Sequence, residues 1–215
     1  MEDVMSRLRQ EKIIAIVRGL KRESLLPLAQ ALLDGGISLI EITFDQSHPE
    51  LWGETCASIR ALAKQFRGAI LPGAGTVLNR EQLLLAKDAG ARYIISPDCN
   101  ESVIRATKEQ NLVSLPGAMT PTEIVRAYEA GADAVKVFPA DHLGPSYFKA
   151  VRAPLSHIPL MAVGGVNAEN AASFLAAGCV GVGVGGSLTN RNWIEAGEFD
   201  KITELAKRFR QAVEA

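Results

Sequence analysis

The chain has 215 residues, a formal net charge of −1, 47% hydrophobic residues and 22% charged residues. That length can enclose one sizeable core, and the composition is ordinary for a soluble globular protein. Near-neutral charge argues against nucleic acid as the main partner, and no apolar run approaches the roughly 18 residues of a membrane span.

Residues 1–12 are amphipathic and charged, which predicts an N-terminal helix rather than a signal peptide. Cys56, Cys99 and Cys179 lie far apart with no CxxC pairing. Their odd count suggests reduced thiols in a cytoplasmic protein. Eight strand-like runs follow, at 13–17, 38–43, 69–71, 92–96, 112–115, 134–138, 159–163 and 180–184. Several are continuously apolar, as parallel strands covered by helices tend to be.

The segments between them carry helix signals. Ser24 is the expected cap of a helix with Leu25, Leu28, Ala29, Leu32 and Leu33 on one face. Asn79 to Gln82 and Thr120 to Glu123 read as capping boxes, and Asn167 as the cap of a further helix. Gly36, Gly90, Gly131 and Gly178 each end a helix-like segment ahead of a strand. Glycine suits the left-handed position that closes a helix. Residues 193–215 read as a polar closing helix after a loop. With no linker or composition shift in view, residues 1–215 are expected to form a single (β/α)8 TIM barrel domain with an N-terminal helix. An open doubly wound sheet is the rival. The first βα turn, Val17-Arg18-Gly19-Leu20, lacks GxGxxG, so a dinucleotide site has no support.

In such a barrel the chemistry belongs at the C-terminal ends of the strands. Polar and glycine residues fall there: Arg18, Glu41, Thr43, Gly73 to Thr76, Pro97, Pro116-Gly117, Lys136, Gly164-Gly165 and Gly185-Gly186-Ser187. Lys136 stands in the apolar run Ala134-Val135-Lys136-Val137-Phe138. A charged amine in a buried strand is costly unless paired or neutral, and a neutral lysine is a nucleophile. If Val135 and Val137 pack under helices, Lys136 points inward. By the same parity, Ile40 and Ile42 face the helices and Glu41 and Thr43 face inward. The pair is then either a buried structural ion pair or an amine nucleophile with a carboxylate proton shuttle.

The other positions carry paired readings too. The Gly164-Gly165 and Gly185-Gly186-Ser187 clusters either cradle a phosphate or carboxylate on backbone N–H groups or only permit tight turns. Arg18 is a carboxylate or phosphate clamp, or a solvated loop charge. Thr76 hydrogen-bonds a substrate carboxylate or caps the glycine-rich turn. His48, His142 and His157 lack ligand spacing, so no metal site and no cofactor is expected.

Taken together, the chain resembles the 2-keto-3-deoxy-6-phosphogluconate / 4-hydroxy-2-oxoglutarate aldolases. The matching pieces run in order from Ile14-Ala15-Ile16-Val17-Arg18 and Glu41-Ile42-Thr43 to Gly73-Ala74-Gly75-Thr76 and Ile95-Ser96-Pro97. They continue through Lys136-Val137-Phe138-Pro139-Ala140 and Gly164-Gly165-Val166 to Gly183 and Ser187. The resemblance implies a metal-independent class I aldolase on a (β/α)8 barrel, commonly trimeric. It would cleave a 2-keto-3-deoxy-4-hydroxy acid reversibly to pyruvate and an aldehyde. It casts Lys136 as the Schiff-base lysine and Glu41 as the general acid/base. It assigns Thr76 and the loop at Gly164-Gly165 to the pyruvate carboxylate, and Gly185, Gly186 and Ser187 to the phosphate. Pro97 and Phe138 join the substrate-binding set by the same resemblance.

The family's pattern is broken twice. Asp45 stands where many members carry a carboxylate-binding arginine, a charge Arg18 is expected to supply instead. Ala162-Val163-Gly164-Gly165 replaces the frequent Pro-Thr-Gly-Gly and resembles the 6-phospho-2-dehydro-3-deoxygalactonate branch. Two other classes compete. One is a phosphosugar isomerase or decarboxylase without a covalent intermediate. The other is a non-catalytic binder of phosphorylated sugar acids.

Overall fold

The computed structural model describes residues 4–214. Residues 1–3 of the expected N-terminal helix, and Ala215, lie outside the described residues. Helices and strands alternate. The first half runs α1 (Val4–Glu11), β1 (Ile13–Val17), α2 (Arg22–Asp34), β2 (Leu39–Thr43), α3 (Trp52–Phe66), β3 (Leu71–Gly75), α4 (Arg80–Ala89), β4 (Tyr93–Ile95), α5 (Glu101–Glu109) and β5 (Val113–Leu115). The second runs β6 (Gly117–Ala118), α6 (Pro121–Glu129), β7 (Val135–Val137), α7 (Ala140–Arg152), β8 (Leu160–Val163), α8 (Ala171–Ala176), β9 (Gly181–Val184), α9 (Arg191–Glu195) and α10 (Phe199–Glu214).

All the strands pair in parallel, in the order β5-β4-β3-β2-β1-β9-β8-β7-β6. The first and last segments of that order flank Pro116. Proline has no N–H to give a ladder. The next amide, Gly117 N, donates to Asp98 O at 3.1 Å instead. The nine segments therefore fill eight strand positions, and the sheet curls into a nearly closed (β/α)8 barrel. The open doubly wound rival is set aside.

Strand parity divides the core into two layers. Ile40, Ile42, Val135 and Val137 pack outward with helix residues such as Leu28, Leu32 and Phe148. Ile14, Leu39, Leu71, Tyr93, Leu115, Ala134 and Met161 fill the barrel with Val4, Met5 and Leu8 of α1. Helix α1 plugs the end where the strands begin. Arg7 Nη1 donates to Ser38 Oγ at 2.6 Å, and Glu11 Oε2 accepts from Ser38 N at 2.8 Å.

The local signals hold in part. Thr120 and Glu123 form the full capping box on α6. Asn79 accepts from Gln82 N at 2.9 Å, but Gln82 reaches back to Leu78 N rather than to the cap itself. Gly90 and Gly131 take φ of 101° and 109°, as their helix exits demand. Ser24 is not a cap: α2 begins at Arg22, with Lys21 in the cap position. Asn167 holds a turn just ahead of α8, whose own cap is Asn170. The third strand is β3 at Leu71–Gly75, not 69–71. Gly73 and Gly75 therefore lie inside a strand rather than in the loop after it, and Gly117 begins β6.

Candidate active site

Lys136 sits on β7 between two fully buried valines, and its register partners are Gly117 and Met161. With the valines turned to the helices, the amine enters the barrel. Only 5% of the residue is exposed, and Nζ lies 5.1 Å from the centre of the Phe138 ring. Glu41 enters the same interior from β2 and is 2% exposed. Its carboxyl lies across Gly75, where a Cβ would overlap Oε1. Glycine at that point is a space requirement rather than a turn.

The two groups shift each other's chemistry. Burial pushes the Glu41 carboxyl above its usual range, against the opposing pull of Lys136 and Arg18. Burial pushes the Lys136 amine below its usual range, against Glu41 and assisted by Arg18. Both move toward their neutral forms, as desolvation demands. Glu41 Oε2 is buried with no hydrogen-bond partner. A neutral amine can attack a carbonyl, and a carboxyl beside it can exchange protons with the adduct.

A cavity of about 390 Å³ opens at the C-terminal ends of β1, β8 and β9. Seven of the expected binding residues line it: Arg18, Phe138, Gly164, Gly165, Gly185, Gly186 and Ser187. Phe138, two positions past Lys136, links the amine to this wall. Space is open where Cβ atoms on Gly185 and Gly186 would stand. Leu188 N and Thr189 N both donate to Gly185 O, which winds one helical turn and leaves the Gly186 and Ser187 amides at its start. Amides so placed can take an anion.

Thr76 and Pro97 do not line this cavity. Thr76 follows Gly75 with φ of 57°, and its carbonyl accepts from Gln46 Nε2 at 2.6 Å. A left-handed threonine is a strained conformation. Pro97 follows β4 and packs its carbonyl where a Gly117 side chain would stand.

Four further lining residues, Leu20, Thr189, Arg191 and Ile194, had no strong signal in the sequence. Thr189 Oγ1 donates to Gly185 O at 3.1 Å and steadies the glycine turn. Arg191 stands on α9, held by Glu195 at 3.0 Å. A cation four residues beyond Gly-Gly-Ser, just after the capping Asn190, was the available clue.

Both departures from the family pattern acquire a location. Asp45 is exposed and builds a turn, accepting from Ser47 N at 2.8 Å and pairing with the His48 ring at 3.1 Å. The Ser47 amide, then the His48 ring, hold its carboxyl below the usual carboxylate range. Val163 is a wall of the cavity, next to Gly183.

A parallel barrel with a buried amine and carboxyl inside it, beside an anion-compatible cavity, defines a carbonyl-chemistry enzyme of the α/β-barrel class. The family model of the KDPG and KHG aldolases matches residues 4–205. The 2-dehydro-3-deoxy-6-phosphogalactonate aldolase of Escherichia coli K12 is 36% identical over 94% of this chain and 96% of its own. The KHG/KDPG aldolase of the same organism is 35% identical over 94% and 91%. Among solved structures, the KDPG aldolase of Legionella pneumophila, captured with pyruvate as a covalent carbinolamine, superposes with a TM-score of 0.86 at 26% identity, over 96% of this chain and 97% of that one. A chain of a protein cage designed by fusing symmetric oligomeric domains gives 0.84 at 36% identity, over 94% and 72%. The chain belongs to the KDPG and KHG aldolase family and is a lyase of the aldolase type.

Proposed function

We propose that this chain is a class I aldolase that cleaves a 2-keto-3-deoxy-6-phospho sugar acid reversibly to pyruvate and glyceraldehyde 3-phosphate, with Lys136 as its Schiff-base residue. The observation that carries this reading is a buried, depressed lysine in one barrel interior with a raised carboxyl.

Neutral Lys136 attacks the C2 ketone, forming a carbinolamine. Loss of water gives an iminium, which draws electrons from the C3–C4 bond. Glu41 takes the C4 hydroxyl proton as that bond breaks and the aldehyde leaves. The remaining enamine is protonated at C3, and water releases pyruvate from Lys136.

The carboxylate end is assigned to Thr76, the loop at Gly164-Gly165 and Arg18, with Phe138 and Pro97 packing on the pyruvyl unit. The phosphate end is assigned to Gly185, Gly186 and Ser187, which line the cavity. Val163 supports the phosphogalactonate-type acid as the preferred member, because it puts methyl groups where a hydroxyl would otherwise meet substrate. 4-Hydroxy-2-oxoglutarate, with glyoxylate as its aldehyde, is the secondary substrate. Residues 1–215 act as one domain, assembled as a homotrimer in the cytoplasm. The cage-derived relative supports assembly, and no helix among the described residues is long and apolar enough to cross a membrane.

Borohydride reduction in the presence of pyruvate tests the reading. A three-carbon adduct on Lys136 and loss of turnover in Lys136→Ala are expected. Full activity in that variant would overturn it. Turnover of a pentose phosphate without trapping would instead favour the isomerase or decarboxylase class.

A further inference from the structure

Among the described residues, the buried side-chain atoms without a hydrogen-bond partner are Glu41 Oε2, the Tyr93 hydroxyl and Arg152 Nε. Arg152 is on the outer helix layer, at the end of α7. The first two are inside the barrel, on β2 and β4, with β3 between them. Glu41 pairs in register with Gly73, and Gly73 pairs with Tyr93. All three therefore point to the interior at one level. A Cβ on Gly73 would overlap Tyr93 Cε2 and Cζ, so the phenol head leans across β3 toward β2. The Glu41 carboxyl lies over Gly75, two residues further along the same strand. Neither oxygen bonds the other directly, and two hydrogen bonds through one water span up to about 5.5 Å.

We infer that Tyr93 is a positioning residue for Glu41, its hydroxyl linked to Oε2 through a single internal water. The inference rests on the aldolase reading only for its kinetic consequence. Leaving two buried polar atoms orphaned is costly, and one shared water satisfies both. The donor direction follows from chemistry. Burial first, then the charges of Glu41 and Glu11, keep the Tyr93 hydroxyl protonated. It therefore donates a hydrogen bond to the water, and the water donates one to Glu41 Oε2 when that carboxyl is ionised. The charged groups that face Glu41 are Lys136 from β7 and Arg18 after β1; those facing Tyr93 are Glu41 from β2 and Glu11 from α1. Lys136 and Arg18 act on Glu41 through charge, and the water is the hydrogen-bond donor that steers Oε2 and favours the ionised carboxylate needed to take the C4 proton. Gly73 is required because any side chain there would push the phenol away.

The test is Tyr93→Phe in the full chain, which removes one oxygen and keeps the ring. Glu41 is titrated by 13C NMR on glutamate-labelled protein, with Glu41→Gln to assign its carboxyl signal. Loss of the donor is expected to move the Glu41 midpoint upward by about 0.5–1 pH unit. The acid limb of the kcat profile should follow it, with KM changed less than twofold and the pyruvate adduct still formed on Lys136. An unchanged midpoint would overturn the inference, and so would a raised Tm with an unchanged profile, the mark of a hydroxyl that had no partner. The NMR titration needs no turnover, so it separates failure of this inference from failure of the aldolase reading.

Discussion

Glu41 Oε1 occupies the space in which a side chain on Gly75 would begin. The two belong to neighbouring strands, and Gly75 pairs in register with Thr43, the second residue of the inward-facing pair on β2. The carboxyl is thus laid across the next strand and held there by the absence of a Cβ.

Gly75→Ala is therefore expected to displace the carboxyl rather than the strand. Misplacing a reacting group by about 1 Å can cost about 10²-fold in rate, and a similar fall in kcat is expected. Overpacking should also lower stability by about 1–3 kcal/mol. Borohydride trapping of pyruvate on Lys136 should persist, because the amine is on β7. Wild-type kcat in a folded Gly75→Ala protein would mean that Glu41 does not act from this position.

The titrations of Glu41 and Lys136 should move together. Glu41 opposes the burial that lowers the Lys136 amine. Removing its charge in Glu41→Gln takes away that opposition. The Lys136 midpoint should then fall further, so pyruvate trapping in Glu41→Gln should extend to lower pH than in the wild type while kcat collapses. A midpoint that rises in Glu41→Gln would reverse the assigned coupling. The measurement is the initial rate of adduct formation against pH.

The barrel was legible in the sequence because its cause is periodic. Val135 and Val137 on one face and Lys136 on the other specify which way the lysine turns, and the structure keeps that parity. Glycine is less readable. Gly73-Ala74-Gly75 looks like a turn, but here glycine makes room for Tyr93 and Glu41 inside β3. Nothing local distinguishes a glycine needed for φ from one needed for space. Ser24 failed as a cap because a side-chain oxygen near a helix start does not fix the start to one residue. Arg191 escaped notice because it joins the cavity only when α9 folds back beside the glycine turn. Tyr93 carries no signal in the sequence, since its unpartnered hydroxyl is a property of the closed interior alone.

Substrate choice should respond to Val163. Its methyl groups line the cavity beside Gly183. Val163→Thr keeps the shape and adds a hydroxyl. The ratio of kcat/KM between phosphogluconate-type and phosphogalactonate-type acids is expected to move toward the former by about 10-fold. An apolar pocket discriminates hydroxyl placement only about 10²-fold at most, which bounds the shift. An unchanged ratio would remove Val163 from the selectivity of the site.

Lys136 should cost stability in return for reactivity, with a defined pH dependence. Burial holds its folded-state pKa below the 10.5 of a free lysine. A depressed pKa means that the folded state binds fewer protons than the unfolded one between those two values. The lysine's contribution is therefore favourable above 10.5 and is lost as pH falls through the folded value. At neutral pH the buried site bears an ionisation penalty. Lys136→Met removes it with a side chain of similar length. Without the lysine charge, which holds it down, the Glu41 pKa rises further. The variant is expected to be inactive yet more stable at pH 7 by about 1–2 kcal/mol, in the range seen when buried charges give way to apolar groups. The gain should shrink as pH approaches 10.5 and vanish above it. Chemical denaturation at pH 7, 9 and 10.5 reads the trend; a gain independent of pH would assign it to packing alone, and a loss at pH 7 would make Lys136 a stabilising member of an ion pair.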